Sequence, residues 1–349
     1  MSKEPKMTRA EKAAKKAELK QIKKNAKMPM TKDRFRKIMM GSKDDMGVLK
    51  KAAVYIVLTA VGFVFLYPLL KVFALSMMSL SDIIDTSVNW IPSEFYPDNY
   101  KMAFKVMDFW NSLWKSAVLA GAPTLIQVCV CAFVGYGFAM FNFRGKMLMM
   151  GLMIFSFVLP PSLTLSPTYQ VYNTVGILGS IKAFVIPAIF GQGLKAPLFI
   201  LICWQFFRQI PVSLHEAAKI DGAGYFKQFL KIGIPSAAGA MLVVFLFSFV
   251  WYWNESYMTS TYIVNNRVNT TGDFSWNSLV VGLSNFDTSF SSYQSSSSAG
   301  TSGSSFQVTT NTAYRMAGTM LTILPLLIMY AVLQKQFVES VDRAGITGE

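Results

Sequence analysis

The sequence predicts an all-α integral membrane protein with six transmembrane helices and both termini in the cytoplasm. Three observations predict it. The chain has 349 residues, 52% hydrophobic and 15% charged, where a soluble domain carries about a quarter charged residues. Its apolar residues fall in six blocks, near 52–73, 113–140, 147–169, 181–207, 237–253 and 313–333. Each approaches the roughly 20 residues that a helix needs to cross about 30 Å of hydrocarbon. The positive charge is also concentrated rather than spread. Residues 1–50 hold sixteen Lys and Arg against six Asp and Glu, which is ten of the fourteen net positive charges. Lys and Arg accumulate on the cytoplasmic side, so this end lies inside. Charge gathered there speaks for orientation and against nucleic-acid binding.

Taken in order, residues 1–50 form a basic cytoplasmic tail. Residues 9–27 favour helix by propensity, yet Leu19 and Ile22 are their only large apolar side chains. The tail reads either as a polybasic segment lying against anionic membrane lipid, at about 1 kcal/mol per basic residue, or as a solvated tail that sets topology. The first apolar block starts some fifty residues in and lacks a small-residue cleavage site, so it is a permanent helix and not a signal peptide. Residues 51–256 then carry spans one to five. With the N-terminus inside, the loops holding Arg144 and Lys146, and Arg208, Lys219, Lys227 and Lys231, are cytoplasmic, and both are basic. On the outer side, Asp82, Asp85, Glu94, Asp98 and Asp108 outnumber Lys101 and Lys105. Trp90, Trp110, Trp114, Trp251, Tyr252 and Trp253 gather at the expected interfaces. Cys129, Cys131 and Cys203 all fall inside apolar blocks and read as small packing residues. No disulfide framework or metal-ligand spacing is present.

Residues 257–312 form an extracytoplasmic Ser-rich loop of 56 residues, and residues 313–349 hold span six and a cytoplasmic C-terminus. A loop this long is functional or disordered. Residues 287–306 have the Ser and Gly content of a flexible linker. Residues 274–283 are apolar enough to pack, either against an extracellular solute-binding protein or as part of a tolerated insertion.

The cytoplasmic segment 208–235 is the most informative. Ser213 and Glu216 have the spacing of a capping box. Ala217 and Ala218 favour helix, and Asp221-Gly222 ends it, since Gly tolerates a left-handed C′ position. Tyr225, Phe226, Phe229 and Leu230 recur at three to four residues, which fits a second amphipathic helix. Local physics thus builds a helical knob with two small residues on its first helix, suited to close approach by another surface.

This segment resembles the coupling loop of ABC importer permeases: Glu-Ala-Ala, three residues, Gly, nine residues, Ile, any residue, Leu, Pro. Here it reads Glu216-Ala217-Ala218, Gly222 and Ile232-Gly233-Ile234-Pro235, with Ile234 in the Leu position. Ile210-Pro211, Leu214, Asp221 and Ala223 add the form seen in the carbohydrate, maltose-importer branch. Trp90-Ile91-Pro92, Asn99-Tyr100, Asn111-Ser112, Phe143 to Lys146, Gly176 to Leu178 and Trp253 to Glu255 also resemble that pattern, which covers roughly residues 50–340. The C-terminal run Gln336 to Gly345 lacks the Lys-Gly ending common in such permeases.

The resemblance implies an ABC importer permease fold in the plasma (inner) membrane. It further implies a second six-span permease, two ATPase subunits and an extracytoplasmic solute-binding protein as partners. ATPase coupling would fall to Ser213, Glu216, Ala217, Ala218, Asp221 and Gly222, with rigid-body alternating access as the mechanism. The chain has no P-loop, since Gly145-Lys146-Met147 lacks both the earlier Gly and the following hydroxyl. No cofactor is therefore expected on this chain, and ATP and Mg would sit on the partner ATPase.

The sequence offers two groups for a substrate pathway. Trp251, Trp253, Asn254 and Glu255, beside Tyr252, combine aromatic platforms with hydrogen-bonding groups, although an interfacial belt is the plainer reading. Lys195 is a charge within the fourth block, next to Gly191, Gly193 and Pro197, which point to a broken helix; it reads as pathway or as a snorkelling or paired cation. Catalysis within the membrane is disfavoured, because the sole histidine, His215, lies in the cytoplasmic loop beside the cap. Internal repeats and buried carboxylates of a secondary transporter are not seen. Amino-acid or peptide importers share the Glu-Ala-Ala core, but the Ile-Pro and Asp-Gly flanks favour carbohydrate.

Overall fold

The computed structural model describes residue 39 and residues 47–264, 276–297 and 307–346. The predicted helix at 9–27 and most of the basic tail lie outside the described residues. The chain divides into two units, residues 1–70 and residues 71–349.

Helix α1 (Val48–Ser76) is 29 residues long and apolar. Its side chains as far as Leu66 are almost all exposed, as a hydrocarbon-facing helix requires. The unit from Lys71 onward is built around α4. After α2 (Leu80–Ile84) and α3 (Asp98–Val106), α4 runs from Phe109 to Met140. At 32 residues it extends about 48 Å, more than the hydrocarbon requires.

The third predicted span is not one straight helix. It is divided into α5 (Lys146–Val158) and α6 (Pro161–Val175), bent by 101° at Leu159-Pro160. Pro160 and Pro161 supply no amide hydrogen and hold Leu159 extended, so the ladder cannot continue. The fourth predicted span is also divided, into α7 (Lys182–Ile189) and α8 (Ala196–Arg208). Gly191 in the left-handed region, with Lys195 at φ 57°, makes the break. A 73° bend leads to α9 (Val212–Ile220), followed by α10 (Tyr225–Ser236) and α11 (Ala238–Asn254), which meet at 76°. Residues Phe229–Gly233 within α10 are π-helical.

Beyond a helical turn at Tyr257–Thr259 lie α12 (Leu279–Ser284), α13 (Phe286–Ser297) and α14 (Gln307–Ile346). The linker composition of 287–306 predicts no helix, yet its first part is α13. Phe286 and Phe290 bury one face of that helix, and this packing overrides the weak local propensity of Ser. Residues 276–283 turn inward on this chain: Leu279 and Val281 are fully buried, and the Leu279 amide donates to Ser116 Oγ on α4 at 2.7 Å.

Among the described residues, three helices are each long and apolar enough to cross a membrane: Val48–Ser76, Phe109–Met140 and Thr312–Glu339. Counting the bent pairs as single spans raises this to as many as six. Helix α4 packs chiefly on α8, α11 and α7. Small residues set the α4–α8 distance: a Cβ on Gly135 would stand 2.6 Å from Cys203 Cβ and 2.9 Å from the Trp204 amide. In a bilayer, van der Waals contact replaces the hydrophobic effect between helices, and small residues permit that contact.

Candidate functional site

Two places concentrate the sequence-predicted residues: the break in the fourth span, and the segment from α9 to α10.

At the break, two apolar clusters meet a polar layer. One cluster holds Leu119, Ala120, Phe184, Tyr252 and Trp253, and the other holds Val128, Cys131, Phe199, Cys203 and Val244. Between them on α4 and α11 lie Thr124, Gln127 and Ser248, all fully buried. A buried polar group without a partner costs about 1–3 kcal/mol, and these have partners. Gln127 Nε2 donates to the Leu194 carbonyl at 2.8 Å, and the Leu194 amide donates to the Tyr252 hydroxyl at 3.1 Å. Tyr252 in turn donates to Gln127 Oε1 at 2.9 Å, and Ser248 Oγ donates to Thr124 Oγ1 at 3.4 Å. The broken backbone of the fourth span is thus satisfied by side chains from two neighbouring helices, which is how irregular backbone survives at membrane depth. Gly193 leaves room for them.

Lys195 follows at once, in the left-handed conformation at the cap of α8. Its Nζ lies 5.4 Å from the centre of the Phe157 ring and 5.2 Å from that of Trp251. Both rings are partly exposed. The ammonium is held between two π-faces, a geometry that attracts a cation. Among the described residues, no carboxylate pairs with it.

The other predicted pathway residues separate. Trp253 is buried and stacks on Phe249 at 5.7 Å. Glu255 Oε1 accepts from the Met258 amide at 2.8 Å and caps the next turn. Asn254 is exposed at the end of α11. The structure therefore joins Lys195 with Trp251 and brings neither to Trp253 or Glu255. Sequence reading missed Phe157, Gln127 and the role of Tyr252. A glutamine midway along an apolar span was the available signal for Gln127; Phe157 gave none.

In the segment from α9 to α10, the predicted capping box is absent. Pro211, in extended conformation, occupies the N-cap of α9, and no side chain caps it. Proline fixes φ and carries no amide hydrogen, so the helix starts at Val212. Ser213 then lies in the first turn, where its hydroxyl cannot serve as the cap. The C-terminal end matches the expectation: Gly222 has φ 72°, its amide donates to Lys219 at 3.0 Å, and the Ala223 amide donates to Ala218 at 2.9 Å. This is a complete Schellman motif.

The knob has an outer and an inner face. Ser213, Glu216, Ala217 and Asp221 are exposed, and so are Val212, Leu214 and Ile220, the last at 87%. Ala218 is half-buried. Of the four apolar residues predicted for the second helix, only Phe229 turns inward, against Tyr136 at 5.0 Å and Phe207 at 6.3 Å. His215 is not a loop residue beside a cap. It is buried under α9, with Nδ1 3.2 Å from Gln228 Oε1, while Gln228 Nε2 donates to the Ala223 carbonyl at 2.7 Å. Because the amide nitrogen is engaged there, Oε1 accepts and Nδ1 donates. His215 Nε2 is buried without a partner among the described residues. This pair ties α9 to α10.

Known proteins share this architecture. An importer solved by crystallography, a bacterial ABC transporter involved in the import of the acidic polysaccharide alginate, contains a chain with the same fold: TM-score 0.64, 18% identity, 89% of this chain and 100% of that one. The osmoprotective compounds uptake permease protein GgtD of Synechocystis is 29% identical over 220 residues, covering 61% of this chain and 73% of that protein. The trehalose transport system permease protein SugB of Mycobacterium tuberculosis is 26% identical over 283 residues, 81% of this chain and 93% of that protein. The polygalacturonan/rhamnogalacturonan transport system permease protein YtcP of Bacillus subtilis is 25% identical over 281 residues, 80% and 92%. The profile of one family matches residues 131–343, which includes the knob, the break between α7 and α8 and most of α14. The chain belongs to that family, the inner membrane components of binding-protein-dependent transport systems, and is an ABC transport permease.

Proposed function

We propose that this permease imports a sugar or oligosaccharide as one of two six-span subunits, with both termini in the cytoplasm and α7 with α8 counted as the fourth span. Membership in the family implies an ATPase and a solute-binding protein as partners. The observation that carries the reading is the knob. A nine-residue helix, closed by a Schellman motif and tied down by His215 and Gln228, presents Glu216, Ala217 and an apolar rim outward. Such a surface suits a cleft in an ATPase, with Glu216 as polar anchor and the alanines permitting close approach. ATP and Mg would reside on that ATPase, and closure of two ATPase subunits would draw two knobs together and turn the pathway outward. Trehalose and polygalacturonan in the names of relatives support carbohydrate as cargo.

Purification in mild detergent followed by mass spectrometry tests the reading. Recovery of a second permease and an ATPase, both lost in Glu216→Arg or Ala217→Arg, is the expected result. Recovery of this chain alone after crosslinking would overturn it.

A further inference from the structure

We infer that the cargo is an acidic sugar, and that Lys195 is the residue that pairs with its carboxylate during passage. The inference rests on the importer reading above and adds the charge of the substrate to it.

Two independent observations carry it. The first is the local geometry. Lys195 lies within an apolar block, at the break between α7 and α8, with its Nζ between Phe157 and Trp251 at 5.4 and 5.2 Å. Charged side chains within membrane segments almost always face protein, a water-filled cavity or a ligand rather than lipid. Two rings attract it, but they leave its three N–H donors without an acceptor of full charge. Aromatic faces also stack on sugar rings, so platform and cation stand together. The second is the charge along the chain. None of the residues 109–215 is Asp or Glu, while Lys115, Arg144, Lys146, Lys182, Lys195 and Arg208 fall among them. Helices α4 to α8 contain no carboxylate, and α11 contains none either. The side-chain charges on these helices are of one sign, which favours anions over cations near them. Among the described residues no carboxylate pairs with Lys195, and a cargo carboxylate would meet that need each time it passes.

The test uses the complete importer, with its partner permease, ATPase and binding protein, reconstituted in liposomes. Uptake is measured for trimers of galacturonate, glucuronate and mannuronate, for their methyl esters, which keep the ring and lose the charge, and for neutral maltotriose. We expect ATP-driven uptake of at least one uronate trimer and at least tenfold less of its ester. Lys195→Met should raise the KM for that trimer about tenfold or more, with Lys195→Arg restoring most of it, and binding-protein-stimulated ATP hydrolysis should persist in both. ATP-driven uptake of maltotriose or of the esters in preference to the uronates would overturn the inference and leave the importer reading standing. Uptake of uronate unchanged in Lys195→Met would do the same. Release of the partner permease from Lys195→Met would assign the anion to that subunit and overturn the cargo role. No ATP-driven uptake of any sugar would overturn both readings.

Discussion

A Cβ on Gly193 would lie 2.1 Å from Oε1 of Gln127, a residue 66 positions earlier on α4. The position admits hydrogen and nothing larger, because the same amide also holds the Leu194 carbonyl and accepts from Tyr252. Gly193→Ala should therefore dislodge Gln127 and lower the melting temperature of the detergent-solubilised protein by several degrees. Gly151→Ala in α5 is the control: nothing lies within 4 Å of a Cβ there, and alanine in a helix is favoured by roughly 0.5–1 kcal/mol. Equal behaviour of the two variants would refute the packing argument.

Tyr252→Phe keeps the ring against Phe184 and removes only the hydroxyl. It leaves the Leu194 amide and Gln127 Oε1 buried and unmatched, a loss of about 1–3 kcal/mol. Gln127→Leu should lose a similar amount, and the double variant less than the sum, because one network is broken twice. Denaturation of the three variants in the same detergent gives the coupling directly; strict additivity would show that the two side chains do not share a network.

Gly222 has open space around it, so its substitution is a conformational matter alone. Alanine at φ 72° costs about 1 kcal/mol, whereas asparagine tolerates that region better. ATPase co-purification and ATP-driven uptake should fall in Gly222→Ala and recover in part in Gly222→Asn. The reverse order would mean that the Schellman closure of α9 is irrelevant to docking.

His215 and Gln228 should act as a pair. His215→Ala and Gln228→Ala each free α9 from α10, and the double variant should be little worse than either alone in ATP-driven uptake, with the bundle's melting temperature little changed. Independent, multiplying losses would place the two residues in separate roles.

Burial works against the charge of Asp82, yet hydrogen bonds from Ser93 and Ser79 hold its carboxyl below the ordinary carboxylate range. A depressed folded value means stabilisation that is present above the unfolded pKa and lost as pH falls through the folded one. The Ser93 amide should keep its protection from hydrogen exchange at neutral pH and through the ordinary carboxylate range, and lose it only as pH falls below that range. Asp82→Asn should show the weakened protection at every pH; full protection in that variant would exclude the carboxylate as the holder.

The long apolar helices and the left-handed end at Gly222 were legible because each rests on local chemistry, namely span length and the freedom of glycine. Breaks were half legible: Gly191, Gly193 and Pro197 signalled the one in the fourth span, whereas Pro160-Pro161 was read through as continuous apolar chain. What stayed hidden were partners across the bundle. Nothing near Phe157 announces that it meets Lys195, 38 positions away, and nothing near His215 announces Gln228. The capping box failed for a local reason: the motif was present, but a proline two residues earlier had already started the helix.

The π-helical turn Phe229–Gly233 stands where the knob joins the fifth span. A π turn holds one residue more than an α turn, so the chain carries a stored unit of slack at this joint. Tightening to α geometry would release that residue and rotate everything on one side by about 100° relative to the other. The extra residue sits between the knob and the 76° bend into α11, the helix that presents Trp251 to Lys195.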